Sequence, residues 1–121
     1  MAYVFICTVI GVIFIAIFLG IRTTMSDARK ISVDFEVHGR VQGVFFRDYT
    51  RRTSTQNGCV GWVKNTNQDT VVGQIQGPKK NVDFMKHWLS SVGSPMSTIK
   101  RCDFSNEKTI EDVSYKNFTV R

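Results

Sequence analysis

Arg47 and the two glycines upstream of it, Gly39 and Gly43, are the residues whose types and spacing first suggest chemistry. They belong to Val37-His38-Gly39-Arg40-Val41-Gln42-Gly43-Val44-Phe45-Phe46-Arg47, between an alternating strand pattern and a run that reads as a helix. The glycines let the backbone turn sharply and leave its N–H groups uncovered by side chains. The helix that follows adds unpaired N–H groups and a positive dipole end, which favour an anion, phosphate above all. Arg47, about one turn into that helix, can bring its planar fork of donors to the same anion. Read alone, the stretch is equally an ordinary strand–loop–helix corner with a surface arginine. It is not a Walker A loop, because Gly43 is followed by Val44-Phe45 rather than by Lys and a hydroxyl residue. Nor does it carry the three glycines of a dinucleotide fingerprint, so the anion is expected to be small, with no base or ribose subsite.

Few other residues compete for chemistry. His38 ends the first strand beside the loop, but its alternating position aims it at the solvated face. His87 lies between Lys86 and Trp88 on a second helix and reads as a surface or boundary residue. Cys7, Cys59 and Cys102 form no C-x-x-C pair, and the last two read as buried or half-buried strand thiols of a reducing compartment. No metal-binding motif is present, so neither metal nor cofactor is expected. The net charge of +6 could suit a nucleic acid, yet the basic pairs Arg51-Arg52, Lys79-Lys80 and Lys100-Arg101 lie far apart in sequence. The charge reads as solvated surface plus attraction for an anionic substrate, with no nucleic-acid partner and a monomeric state expected.

The elements that must position the loop follow from periodicity. At 121 residues with 42% apolar content, the chain has room for one domain with one core. Ile31, Val33, Phe35 and Val37 alternate with polar residues, the mark of a strand buried on one face. Val44 to Gln56 reads as a helix, with Phe46, Tyr49, Thr50 and Thr53 at helical spacing, stopped by Asn57-Gly58. Cys59 to Lys64 and Thr70 to Gln76 read as strands joined by a hairpin-length connection over 65–69. Gly77-Pro78 opens a second helix to about Val92, with Val82, Met85, Leu89 and Val92 on one face, widened by Phe84 and Trp88, and Gly93-Ser94-Pro95 ends it. Ile99 to Phe104 and Tyr115 to Val120 read as later strands around a polar loop, Ser105 to Ser114. This order predicts an α+β fold, the ferredoxin-like split βαβ sandwich: an antiparallel sheet of four to five strands with two helices on one face.

The N-terminal segment is of another kind. Residues 2–21 carry no charged side chain, and a helix of that length spans a bilayer core of roughly 30 Å. No basic residue precedes the run, Leu19-Gly20-Ile21 is a poor cleavage site, and the run has no polar face. Residues 1–22 therefore read as a membrane anchor, 23–30 as a linker and 31–121 as the globular domain. Arg22, Arg29 and Lys30 follow the run, which places the domain on the cytoplasmic side. A start at Met25 would give a wholly soluble cytosolic chain instead.

Gly39-Arg40-Val41-Gln42-Gly43-Val44-Phe45-Phe46-Arg47 resembles the first signature of the acylphosphatase family, and Gly61-Trp62-Val63-Lys64-Asn65 the opening of its second. Val71 to Pro78, Gly93-Ser94-Pro95 and Phe104 to Lys108 are similar to later family segments, so the resemblance covers about Ile31 to Arg121. It implies hydrolysis of an acyl phosphate, a mixed carboxylic–phosphoric anhydride, carried by a small molecule or by a protein. By matched position, Arg47 and the backbone of Gly39, Arg40, Val41, Gln42, Gly43 and Val44 would bind phosphate, and Asn65 would orient the attacking water. The carboxylate leaving group, with a conjugate-acid pKa of roughly 4, needs no strong general acid. One departure stands in the hairpin turn, where the family usually has glycine and this chain has Asp69. The same cradle could also serve a regulatory module that binds phosphate or an acidic partner without turnover.

Overall fold

The computed structural model describes residues 28–121. The anchor expected over residues 2–21 and the linker as far as residue 27 lie outside that range. Strand β1 (Lys30–Arg40) is followed by helix α1 (Phe46–Gln56), strands β2 (Val60–Asn65) and β3 (Val71–Pro78), helix α2 (Lys79–His87), and strands β4 (Thr98–Ile110) and β5 (Phe118–Val120). They form one sheet in the order β4-β1-β3-β2-β5. β1 pairs antiparallel with β3, from Lys30 opposite Pro78 to Val37 opposite Val71, and β2 returns along β3 from Val60 opposite Gln76 to Asn65 opposite Val71. The split βαβ order is as the sequence predicts. The sheet is mixed rather than wholly antiparallel, however, because β5 lies parallel to β2, with Gly61 opposite Phe118 and Val63 opposite Val120.

Alternation in β1 turns Ile31, Val33, Phe35 and Val37 into the core. The same core holds Phe46 of α1, Val82 and Met85 of α2, and Val63, Val71 and Ile75 of the central strands, so both helices cover one face of the sheet. Phe46 is the deepest anchor of α1, its ring centroid 5.6 Å from that of Trp88. Burying such a side chain contributes about 1.5–3 kcal/mol. On the inward side of α1, Thr50 donates its hydroxyl to Phe46 O at 2.7 Å, which satisfies a polar group in an apolar setting. Gly58, at φ 68°, ends the helix in the left-handed turn expected of Asn57-Gly58, with Cys59 N–H donating back to Ser54 O at 2.9 Å.

Several boundaries differ from the sequence reading. β1 starts at Lys30 and continues through His38, Gly39 and Arg40, and α1 starts at Phe46 rather than Val44. The second helix closes in a wider π-helical turn, Trp88–Val92, capped by Gly93 N–H on Trp88 O. That wider turn shifts the phase of the inward stripe, leaving Val92 exposed, and Phe84 is exposed beside the buried Met85. β4 runs on to Ile110 through most of the expected polar loop, and the last strand shrinks from Tyr115–Val120 to three residues.

Candidate active site

The β1–α1 connection is shorter than the signature suggests. Gly39 and Arg40 sit in the ladder opposite Ile99 and Thr98 of β4. A Cβ on Gly39 would come within 2.2 Å of Thr98 O, so that glycine permits close approach of β4. The free loop is Val41 to Phe45. Val41 and Val44 point into the core and hold its two ends, while Gly43, at φ 74°, faces open space. The backbone N–H groups of Gly43, Val44 and Phe45 find no acceptor among the described residues. Three consecutive uncommitted amides at the head of a helix are donors available to an anion.

Asn65, the last residue of β2, is brought to this loop by the β2–β3 turn. Thr66 N–H donates to Thr70 O at 2.9 Å, and Asp69 takes a left-handed conformation, φ 62°. Glycine would adopt that conformation without strain, so the departure from the family signature falls at the position where it matters most. Gln42 joins the two segments: its Nε2 donates to Thr66 O at 3.0 Å and to Thr70 O at 2.8 Å. The Thr70 hydroxyl in turn donates to Glu36 Oε2 at 2.7 Å, fastening the turn to β1. Asn65 Oδ1 is buried and has no hydrogen-bond partner among the described residues. An unsatisfied buried acceptor costs about 1–3 kcal/mol, which marks Asn65 as a group whose partner comes from outside the fold.

Arg47, Asn65, Val41 and Gly43 line one cleft of about 520 Å³, together with Phe45 and Val120. Arg47 is half-buried, and one of its five N–H groups, on Nη1, donates to Arg121 O at 3.4 Å. The next residue, Asp48, accepts from Arg51 Nη2 and from Arg52 Nε one turn along, each at 2.9 Å. Hydrogen bonds from those two guanidinium groups hold the Asp48 carboxyl below the usual carboxylate range. Three guanidinium groups against one carboxylate leave this stretch of α1 with a net charge of +2, in favour of an anion.

The structure thus brings Arg47, Asn65, Val41 and Gly43 together on the cleft. Gly39 and Arg40 belong to the strand, Gln42 is turned to the hairpin, and the Val44 side chain is in the core. His38 stands on the open face of the sheet, its Nε2 3.1 Å from Asp103 Oδ2 and 4.0 Å from Glu36 Oε1. His87 is an exposed residue of α2. Cys59 is buried and Cys102 half-buried, and burial pushes the first thiol up to about 11 and the second to about 12.

Residues 33–120 match the family model described as Acylphosphatase. The chain belongs to the acylphosphatase family. Among curated relatives it is 55% identical over 103 residues to acylphosphatase-2 of Mus musculus, spanning 85% of this chain and 97% of the relative. It is 58% identical over 98 residues to acylphosphatase-2 of Homo sapiens, spanning 80% and 99%. A solved acylphosphatase from Coxiella burnetii superposes with a TM-score of 0.67 at 29% identity, over 77% of this chain and 94% of that one. Hydrolysis of acyl phosphates is the activity that membership assigns. Within the acylphosphatase domain, sequence reasoning missed the clamp made by Gln42 and the place of Phe45 and Val120 on the cleft. Arg51 could have been found, because it follows Arg47 by four residues and so shares its helix face.

Proposed function

We propose that Arg47 and the amides of Gly43, Val44 and Phe45 hold the phosphoryl group of an acyl phosphate while Asn65 orients the attacking water. The observation that carries this reading is a single cleft lined by Gly43, Phe45, Arg47 and Asn65, which joins a loop whose amides lack acceptors to a half-buried guanidinium and a buried amide oxygen without a partner. In this reading water attacks phosphorus, the bond from phosphorus to the acyl oxygen breaks, and the carboxylate leaves. The proton of the water passes to a phosphoryl oxygen, so the products are carboxylate and inorganic phosphate. Phosphoryl transfer of this kind depends on positioning and on stabilising charge, which fixed amides and an arginine supply. Gly39 and Arg40 support the loop through their pairing with β4, and Gln42 ties it to the turn below Asn65.

Residues 2–21 complete the proposal as a single membrane anchor, supported by their uncharged run and the downstream Arg22, Arg29 and Lys30. The domain then stands on the cytoplasmic side as a monomer and acts on a small acyl phosphate or on an acyl-phosphorylated protein. β1 begins at Lys30, where the tether would end, and extends roughly 33 Å at about 3.3 Å per residue. The loop follows the other end of β1, away from the junction.

Kinetics separate the two catalytic roles. Arg47→Gln should weaken competitive inhibition by inorganic phosphate and lower turnover by about 100-fold or more, because its donors act in both ground and transition states. Asn65→Ala should lower kcat comparably yet leave phosphate inhibition close to wild type, with thermal unfolding checked for both. Near-normal turnover by a well-folded Asn65→Ala variant would remove the water-positioning role.

A further inference from the structure

Phe45 combines two features that the phosphate cradle alone does not require. It is the most exposed large apolar residue among those described, at 74%, between neighbours Val44 and Phe46 that are both buried. It also holds φ 60° and ψ 22°, a left-handed conformation that bulky residues adopt rarely and glycine or asparagine adopt readily. This twist lets Val44 and Phe46 enter the core while the ring between them turns outward. The ring then lines the cleft beside Arg47 and Asn65, and Val120 of β5, itself 42% exposed, lines the same cleft. The apolar surface is therefore continuous with the anion site. An acyl phosphate bound through its phosphoryl group carries its acyl substituent only one carboxyl group away, within reach of that wall.

We propose that Phe45 and Val120 form the acyl-binding wall of the site and make the enzyme selective for apolar acyl groups, aryl or medium alkyl, over short ones. This rests on the phosphoryl-binding roles proposed above and adds which part of the substrate is recognised by which residues. The ring contributes contact with the acyl substituent, and its gain grows with the apolar area covered. A strained aromatic at the mouth of a site is where a conformational outlier leads to a functional assignment.

The test compares kcat/KM for benzoyl phosphate and for acetyl phosphate as a ratio within each variant, set against the wild-type ratio so that intrinsic reactivity cancels. Phe45→Asn, whose side chain tolerates the left-handed conformation, should lower the benzoyl-to-acetyl ratio about tenfold. Phe45→Tyr, which keeps the ring, should retain the wild-type ratio. Val120→Ser, remote in sequence from the loop, should lower it about threefold and stands independently of any folding defect in the loop variant. Equal losses on both substrates in Phe45→Asn, or an unchanged ratio in Val120→Ser, would overturn the assignment by making these residues supports only. A wild-type chain inert toward both substrates would overturn this proposal together with acyl phosphate hydrolysis, whereas turnover indifferent to Phe45 would overturn this proposal alone.

Discussion

Removing the Gln42 side-chain amide should damage stability and turnover together, because one nitrogen fastens the anion loop to the turn that carries Asn65. Nε2 donates to Thr66 O at 3.0 Å and to Thr70 O at 2.8 Å. After Gln42→Ala, Thr70 O still accepts from Thr66 N–H at 2.9 Å, but Thr66 O has no other partner among the described residues. Two hydrogen bonds at about 1 kcal/mol each, plus part of the penalty for one orphaned carbonyl, give a loss of about 2–3 kcal/mol. For a domain of this size that lowers Tm by roughly 10–20 °C. A shift of the order of 1 Å between loop and Asn65 would lower kcat about 10- to 100-fold, measured on a simple acyl phosphate well below the new Tm. Gln42→Glu is the sharper variant, since at pH 7 it turns a carboxylate toward two carbonyl oxygens and should be less stable than the alanine variant. Stability of Gln42→Glu equal to wild type, or full turnover by Gln42→Ala, would show that the contact does not hold the site together.

Asp69→Gly should be neutral or stabilising by up to about 1 kcal/mol, since relief of the left-handed conformation competes with the greater freedom of glycine in the unfolded chain. A clear drop in the denaturation midpoint would mean that the aspartate stabilises the turn in a way its geometry does not reveal. In a chain begun at Met25, Cys59 and Cys102 should resist thiol reagents at pH 8 until the protein unfolds, their thiols being pushed up to about 11 and about 12 by burial. The folded state keeps protons that the unfolded state loses near pH 8.5, so this contribution is full below about pH 8.5 and fades as pH rises through about 11 for Cys59 and about 12 for Cys102; rapid labelling of folded protein would contradict it. The full-length chain should need detergent for extraction from membranes whereas the chain begun at Met25 should not, and recovery of full-length protein in the aqueous phase would remove the anchor.

The sequence was most legible where one face of an element is buried. Ile31, Val33, Phe35 and Val37 announce β1 because their spacing matches the pleat, and Asn57-Gly58 marks the end of α1 because few residues accept the turn required there. The sequence pattern marks only Ile99 to Phe104 of the 13 residues of β4, because Ser105 to Thr109 are all exposed. It is an edge strand held by backbone pairing to β1, and such a strand needs no apolar alternation to announce it. The parallel course of β5 was equally hidden, since three residues carry no local mark of strand direction. Within the site, Arg47 was visible by its distance from the glycines, but Asn65 only through resemblance to a family signature. Gln42 was counted as a loop amide, because its side-chain partners are backbone carbonyls 24 and 28 residues away. The left-handed Phe45 was hidden inside an apolar run that continues smoothly into the helix.

The charged groups around the cleft also favour an anhydride over an ester as substrate. Arg47 serves through hydrogen-bond donors alone, and Asn65 carries no titrating proton. Asp48 is kept ionised by Arg51 and Arg52, so it cannot donate a proton to a leaving group near neutrality. His38, the residue best suited by type to acid–base work, is engaged with Asp103 on the open face of the sheet. An alkoxide expelled from a phosphate ester has a conjugate acid about as weak as water, whose pKa is about 15.7, and would need a proton as it leaves. A carboxylate, with a conjugate-acid pKa of roughly 4, departs without one. An arginine, three amides and an asparagine, in the roles proposed above, meet the requirement of the second reaction, and the described residues lining the cleft offer no proton donor for the first. A preference for an acyl phosphate over an alkyl phosphate ester is in keeping with the lack of an acid among the described residues of the cleft as much as with the groups that bind phosphate.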